Sequence, residues 1–306
     1  VKVLIVKTSA LGDIIQAIPV LHLLKEHYPY VVIDWIVEKK WQGVLGRLES
    51  LNKIILFDRN NLTKSIRHIR EDAYDYVFDL QGNAKSGLIT LVARSKRKIG
   101  LHQSQVREWP NLLATTDQIK IDNSKPMTDQ LLQIVSIFFN IPIPSTPQKV
   151  IFSITKEEEE FIEELIEKGQ GRPMVMICPC SRWENKRLSR TAWTILIKKI
   201  SEKFDPYFFF VFGNEQEREE VELLHKYFPE DSAVIGAMSI PVWQNVMTKM
   251  GGVISVDSSA LHLAGLAGVA TFSIFGPTQA QFFQPIGDNH SSFQGACPYG
   301  EKFVKQ

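Results

Sequence analysis

The sequence predicts an α/β protein of two Rossmann-like halves, and three observations carry that prediction. Short β-branched runs alternate with amphipathic stretches along most of the chain. The alternation stops once, at IPIPSTPQK (141–149), where three prolines in nine positions forbid a regular element. It then restarts with the same rhythm. A length of 306 residues suits two domains with separate cores, here 1–150 and 151–306.

In the first half Val3 to Lys7, Val31 to Val37, Lys53 to Phe57 and Tyr76 to Phe78 read as buried strands. Helical patterns follow at 13–27, 39–48, 62–71 and 84–93. Such βαβ alternation implies a parallel sheet covered on both faces. Residues 102–125 carry no clear period and are expected as loop, with a helix at 127–139. In the second half KEEEEFIEELIEK (156–168) sets Phe161, Ile162, Leu165 and Ile166 on one face and its glutamates in solvent. Strands are expected at 174–178, 207–212, 253–256 and 271–275, with helices at 190–204, 215–227, 240–249 and 258–267. In the helix at 190–204 the stripe is Trp193, Ile197, Ile200 and Phe204.

Composition narrows the class. Thirty-five Lys plus Arg nearly balance thirty-four Asp plus Glu, a net charge of +1 that disfavours bulk nucleic-acid binding. Three cysteines (Cys178, Cys180, Cys297) make no disulfide framework and lack the paired spacing of a zinc site, which suits a reducing cytoplasm. VKVLIVKTSALGD is broken by Lys7 and Asp13 and does not read as a signal peptide. No apolar run is long enough to span a bilayer.

Two α/β halves joined by a hinge suggest a ligand in the cleft between them, at the carboxyl ends of strands. Nucleotide fingerprints are missing. No GxGxxG follows the first strand, and GNAKSG (82–87) continues with Leu88 where a P-loop needs Lys-Ser/Thr. There is no GxSxG, no HExxH, and no Asp-x-Asp to hold a diphosphate through a cation. A metal-independent ligand or substrate fits these absences, with no cofactor.

Four segments carry chemistry. In KTSALGDIIQAIP (7–19) a strand ends in a small-residue turn, Gly12 permits close backbone, and Asp13 opens a helix. Asp13 reads either as an N-terminal cap favoured by the helix dipole or as a general base at the mouth of a cleft. CPCSRWENKRLS (178–189) gathers Arg182, Lys186 and Arg187 after a strand, either a solvated basic loop or the cations for a diphosphate. In SVDSSALHLAGLAG (255–268) Asp257 ends a strand, while Ser258 and Ser259 begin a helix whose free N–H groups suit an anion. His262 falls one turn later. IFGPTQ (274–279) is a further strand end, with Gly276 and Thr278 in its turn.

In this order the segments, with DLQGNAKSGL (79–88), resemble the ADP-heptose:lipopolysaccharide heptosyltransferases of glycosyltransferase family 9. Each motif alone is weak; five in register across most of the chain are strong. The resemblance implies a GT-B fold, two Rossmann-like domains facing a central cleft, with the acceptor on the first and the nucleotide-sugar on the second. It implies an inverting, metal-independent transfer of heptose from ADP-heptose to Kdo–lipid A or an earlier heptose. The work would be done in the cytoplasm, with contact to the inner membrane at most peripheral. By position Asp13 matches the family's general base and Lys186 the cation on the donor phosphates. Asp257 matches an acid that binds the donor sugar; Ser258, Ser259 and His262 match the helix start facing the diphosphate. Ser181, Arg182, Gly276 and Thr278 complete the donor side. Thr8, Ser9, Gly12, Gln81, Lys85 and Arg107 form the acceptor side, with Arg94, Lys96, Arg97 and Lys98 extending a basic surface.

The chain departs from the family pattern in places. Ser258-Ser259 stands where Thr-Gly is usual, Leu188 replaces a customary Trp, and Cys180 sits where Gly or Ala is common. Only 28 residues follow Thr278, short for the helix that commonly ends a GT-B chain. The same fold with another nucleotide-sugar or acceptor is the nearest alternative. A Rossmann oxidoreductase lacks its glycine-rich turn here, and a non-catalytic sugar-nucleotide sensor would have little use for both Asp13 and Lys186.

Overall fold

The first strand, β1 (Lys2–Val6), is KVLIV, apolar on both faces because both faces are covered. Around it run α1 (Leu11–Ala17), α2 (Pro19–His27), β2 (Val32–Glu38), α3 (Gln42–Leu45), β3 (Lys53–Phe57), α4 (Leu62–Glu71), β4 (Tyr76–Asp79), α5 (Ala84–Val92), β5 (Arg97–Leu101), β6 (Asp117–Ile119) and α6 (Met127–Phe139). All pairings are parallel, in the order β3-β2-β1-β4-β5-β6. The structure, a computed structural model, describes residues 1–145 and 148–296.

The chain forms two compact units, Val1–Gln148 and Lys149–Gln306. The second contains α7 (Lys156–Glu167), β7 (Met174–Cys178), α8 (Arg190–Phe204), β8 (Tyr207–Val211), α9 (Glu215–His225), β9 (Ser232–Ile235), α10 (Ile240–Thr248), β10 (Gly252–Val256), α11 (Ser259–Leu266), β11 (Thr271–Phe275), α12 (Ala280–Phe283) and β12 (His290–Gln294). Its sheet order is β12-β11-β10-β7-β8-β9, again parallel throughout. Counted within its own unit, each sheet runs 3-2-1-4-5-6, the doubly wound order that reverses between its first and fourth strands. The reversal lies at β1/β4 in one unit and β7/β10 in the other.

Each unit has its own apolar core. Leu4, Val6, Ile36, Ile55, Val77 and Ile89 pack on one face of the first sheet. Ile177, Trp193, Ile197, Phe208, Phe210, Val221 and Val256 do so in the second. Each such side chain contributes about 1.5–3 kcal/mol on burial. Gln244 ties the irregular entry segment of the second unit to α10, donating to the Val150 carbonyl at 2.9 Å and accepting from Phe152 N–H at 2.8 Å.

Several expectations are corrected. The 13–27 helix is two, because Pro19 has no N–H to bond the Ile15 carbonyl. The 39–48 helix shrinks to a 3₁₀ turn, Lys39–Trp41, and the four residues of α3. The 102–125 loop contains a 3₁₀ segment, Trp109–Ala114, and the edge strand β6. Phe161 and Phe204, expected on apolar faces, are exposed. Cys178 and Cys180 are buried thiols, whereas Cys297 and the C-terminal helix question lie outside the described residues. Among the described residues no helix is long and apolar enough to cross a membrane.

Candidate active site

Both clusters of predicted site residues fall at the carboxyl ends of the strands flanking these reversals, and each unit builds its own cluster. In the first unit β1 and β4 pair in register through Val6 and Asp79, so the segments after them leave side by side. Gln81 joins them: its Oε1 accepts from Thr8 N–H at 3.1 Å and from Ser9 N–H at 3.4 Å. The Asp79 carboxylate, fully buried, accepts from the N–H groups of Gln81 and Gly82, from Thr90 Oγ1 and from Asn111 Nδ2 at 2.6 Å. Gly82 has φ +71°, a conformation that favours glycine, and it turns the chain towards α5.

Lys7 is buried beneath this loop and donates to the Leu80 carbonyl at 2.8 Å. Burial pushes its ammonium down to about 8, against the attraction of Asp13 and Asp79 and with the help of Arg107. Asp13, the third residue of α1, accepts from Ala10 N–H at 3.1 Å, so the capping role is real and engages one carboxylate oxygen. Gly12 precedes it, partly exposed in the first turn. Lys85 donates to Ser9 Oγ at 3.3 Å and to Glu38 Oε1 at 2.7 Å. Glu38 also takes Arg59 at 2.8 Å. Burial opposes ionisation of Glu38, but the hydrogen bonds from Lys85 and Arg59 win and hold its carboxyl below the usual range. Arg107 is exposed, with its N–H on the Gly82 carbonyl at 3.1 Å. The six predicted acceptor-side residues therefore gather around one pair of strand ends.

In the second unit the central group is Asp257, buried at the end of β10. Its Oδ2 accepts from Lys186 Nζ and from Thr278 Oγ1, both at 2.6 Å, and its Oδ1 lies 3.9 Å from His262 Nε2. Its carbonyl accepts from Ser181 Oγ at 3.1 Å. The Gly276 turn lies beside the same loop, since a Cβ there would stand 3.7 Å from the Asn185 carbonyl. Ser258 caps nothing with its hydroxyl, which instead meets Ser255 Oγ at 3.1 Å, and Ser259 opens α11. Three strand ends thus converge on Asp257, with a cation, one hydroxyl and an imidazole around its carboxylate and a second hydroxyl on its carbonyl. The arrangement can present a positive charge and helix N–H groups to a phosphorylated ligand while the carboxylate accepts hydroxyl hydrogen bonds.

The expected trio of cations divides. Arg182 is exposed, and Arg187 turns away to bond the Ser181 carbonyl at 2.7 Å and Glu220 at 3.4 Å, with Glu217 at 4.0 Å. Only Lys186 of the three joins Asp257.

A family model described as glycosyltransferase family 9 (heptosyltransferase) matches residues 62–306. The chain belongs to glycosyltransferase family 9. This family 9 chain is 26% identical over 290 residues to lipopolysaccharide heptosyltransferase 1 of Campylobacter coli, covering 90% of the chain and 84% of that protein. The corresponding protein of Pseudomonas aeruginosa is 24% identical, with 94% and 81% covered. Among solved structures, E. coli heptosyltransferase WaaC with ADP superposes with a TM-score of 0.81 at 20% identity, covering 97% and 94% of the two chains. E. coli ADP-heptose lps heptosyltransferase II gives 0.79 at 17% identity, covering 98% and 92%. The family 9 assignment read from five motifs holds, as does the α/β, GT-B class of fold, and the chain is a glycosyltransferase.

Sequence reasoning missed Glu38, Arg59, Glu217, Glu220 and Gln294. Gln294 ends β12 and grips the Gly276 carbonyl at 3.1 Å, fixing the Gly-Pro turn. Glu38 had one available signal, a carboxylate closing an apolar strand. The others become meaningful only through partners distant in sequence.

Proposed function

We propose that this chain transfers heptose from ADP-heptose to the inner core of lipopolysaccharide, either Kdo–lipid A or a preceding heptose, with inversion and without a metal. One observation carries the reading: Lys186 is held on Asp257 beside the free start of α11, at the β7/β10 reversal of a family 9 chain. Two relatives are lipopolysaccharide heptosyltransferases, and one structure of the same fold is that of E. coli WaaC with ADP.

In this mechanism Asp13 takes the proton from the acceptor hydroxyl. The oxygen attacks the anomeric carbon from the face opposite the diphosphate, and the bond from that carbon to the ADP oxygen breaks. Lys186 stabilises the charge that develops on the departing ADP. Ser258 and Ser259 offer backbone N–H groups to the diphosphate, with Arg182 and Gly276 beside it. Asp257 turns its carboxylate to the donor sugar, supported by Ser181, His262 and Thr278. On the acceptor side Thr8, Ser9, Gly12 and Gln81 shape the pocket, and Lys85 and Arg107 meet acidic groups of the glycolipid. The enzyme acts in the cytoplasm, peripherally on the inner membrane.

The test is a transfer assay with ADP-heptose and a Kdo-bearing acceptor in EDTA, read by mass spectrometry and the anomeric proton signal. Transfer with inversion is expected from the wild type. Asp13→Asn should bind ADP normally yet lose turnover by about 10²–10⁴-fold. Retained turnover removes Asp13 as base. Transfer from another nucleotide-sugar alone changes the donor, and dependence on added metal removes the metal-free mechanism.

A further inference from the structure

The first unit carries an apolar patch that neither core nor site uses. Leu88 and Leu91 on α5 are 42% and 55% exposed, and Trp109 and Leu113 on the adjoining 3₁₀ segment are 70% and 73% exposed. The two segments are locked together. A Cβ on Gly87 would stand 2.9 Å from Asn111 Cα, and Asn111 Nδ2 donates to the Asn83 carbonyl at 3.1 Å as well as to Asp79. Leu88 and Leu91 are one turn apart on α5, and Trp109 and Leu113 stand towards the two ends of the 3₁₀ segment packed against it, so rigid backbone presents four large apolar side chains to solvent.

The rim is basic. Lys98 donates to the Leu91 carbonyl at 2.7 Å, which sets its ammonium at the end of α5. Arg94 and Lys96 follow α5, and Arg107 precedes Trp109; all three are exposed. The nearby acids are engaged: Glu108 caps Ala84 N–H at 2.8 Å, and Asp117 pairs with Arg97 at 2.7 Å. An aromatic ring and leucines beside four cations (Arg94, Lys96, Lys98 and Arg107), which among the described residues outnumber the one unpaired carboxylate, Glu108, match the boundary of an anionic bilayer, where tails take the apolar side chains and headgroups take the charge. A second copy fits less well, because a two-fold contact would set this basic rim against itself.

We infer that the face formed by Leu88, Leu91, Trp109 and Leu113 docks this enzyme on an anionic lipid bilayer. This deepens the reading above of a peripheral enzyme with a glycolipid acceptor, and rests on it. The first turn of α5 carries Lys85, so docking holds the acceptor-side strand ends next to the headgroups from which such a glycolipid projects.

The test is sedimentation of the full chain with phosphatidylglycerol–phosphatidylethanolamine vesicles and with phosphatidylcholine vesicles, at low and high salt. Binding to the anionic vesicles is expected, weaker by about tenfold or more on phosphatidylcholine and at high salt. The double variant Leu88→Asp, Leu113→Asp should lose that binding with its melting temperature and ADP-induced thermal shift unchanged. A single variant, Trp109→Ser, provides the same reading if the double variant misfolds. Wild type that ignores anionic vesicles, variants that bind like wild type, or a wild-type dimer that the variants split overturns the assignment. A wild type that binds vesicles but shows no ADP shift sinks the transferase reading and leaves the docking face supported.

Discussion

The ammonium of Lys186 lies 2.6 Å from the Asp257 carboxylate, so the cation proposed for the donor phosphates is neutralised by its own neighbour before any ligand arrives. The pair is partly buried, with the lysine the more exposed partner. A phosphate approaching Lys186 therefore competes with Asp257, and the carboxylate also repels it.

This predicts opposite effects on ADP binding. Lys186→Ala removes a charge-assisted contact worth roughly 1.5–3 kcal/mol, so ADP affinity should fall by at least tenfold. Asp257→Asn frees the lysine and should leave ADP affinity equal or several-fold tighter while transfer from the sugar nucleotide drops. Calorimetric titration of ADP into both variants decides it; weaker ADP binding by Asp257→Asn would mean that Asp257 serves to position the lysine.

Arg187 acts one step away. Its guanidinium bonds the Ser181 carbonyl, closing the ends of the loop that carries Lys186, and the carboxylates of Glu217 and Glu220 hold it. Glu217 in turn accepts from Gly213 N–H at 2.9 Å, so the loop is pinned to the end of β8. Arg187→Gln should weaken ADP binding by roughly tenfold, and should do so far less in a Lys186→Ala background, because the two act through one contact. A full additive loss in the double-mutant cycle would show that Arg187 does not work through Lys186.

What was legible in the sequence follows from where the signal is local. Central strands such as KVLIV and YFFFV are buried on both faces and read as apolar runs. Edge strands β6 (DQI), β9 (SAVI) and β12 (HSSFQ) are short or polar, and β5 (RKIGL) hides Ile99 behind two cations, so their places are set by neighbours instead. The site shows the same divide. Asp13, Lys186 and Asp257 stand at strand-to-helix turns that the pattern locates. The pairing of Lys186 with Asp257 spans 71 residues, and that of Lys85 with Glu38 spans 47, distances over which no periodicity speaks. The three clustered cations looked equivalent in sequence because the acids that claim Arg187 lie in α9.

Lys7 gives the pH dependence its sign. Unfolded, its ammonium titrates near 10.5; folded and buried, it titrates at about 8. Below pH 8 both states hold the proton, and the native state bears the cost of a buried charge. Between these values the unfolded chain binds more protons than the native one, so stability rises with pH across that window. A depression of this size corresponds to a change on the order of 3 kcal/mol. Lys7→Met keeps the apolar stem, removes the titration, and forfeits the hydrogen bond to the Leu80 carbonyl at every pH. Urea unfolding of both proteins at steps from pH 7 to pH 10 separates these contributions. The stability of wild type relative to Lys7→Met should climb through that window, while the other titrating groups cancel in the difference. A flat difference would mean that Lys7 keeps an ordinary pKa despite its burial, and that the cation beneath Asp13 persists throughout this range.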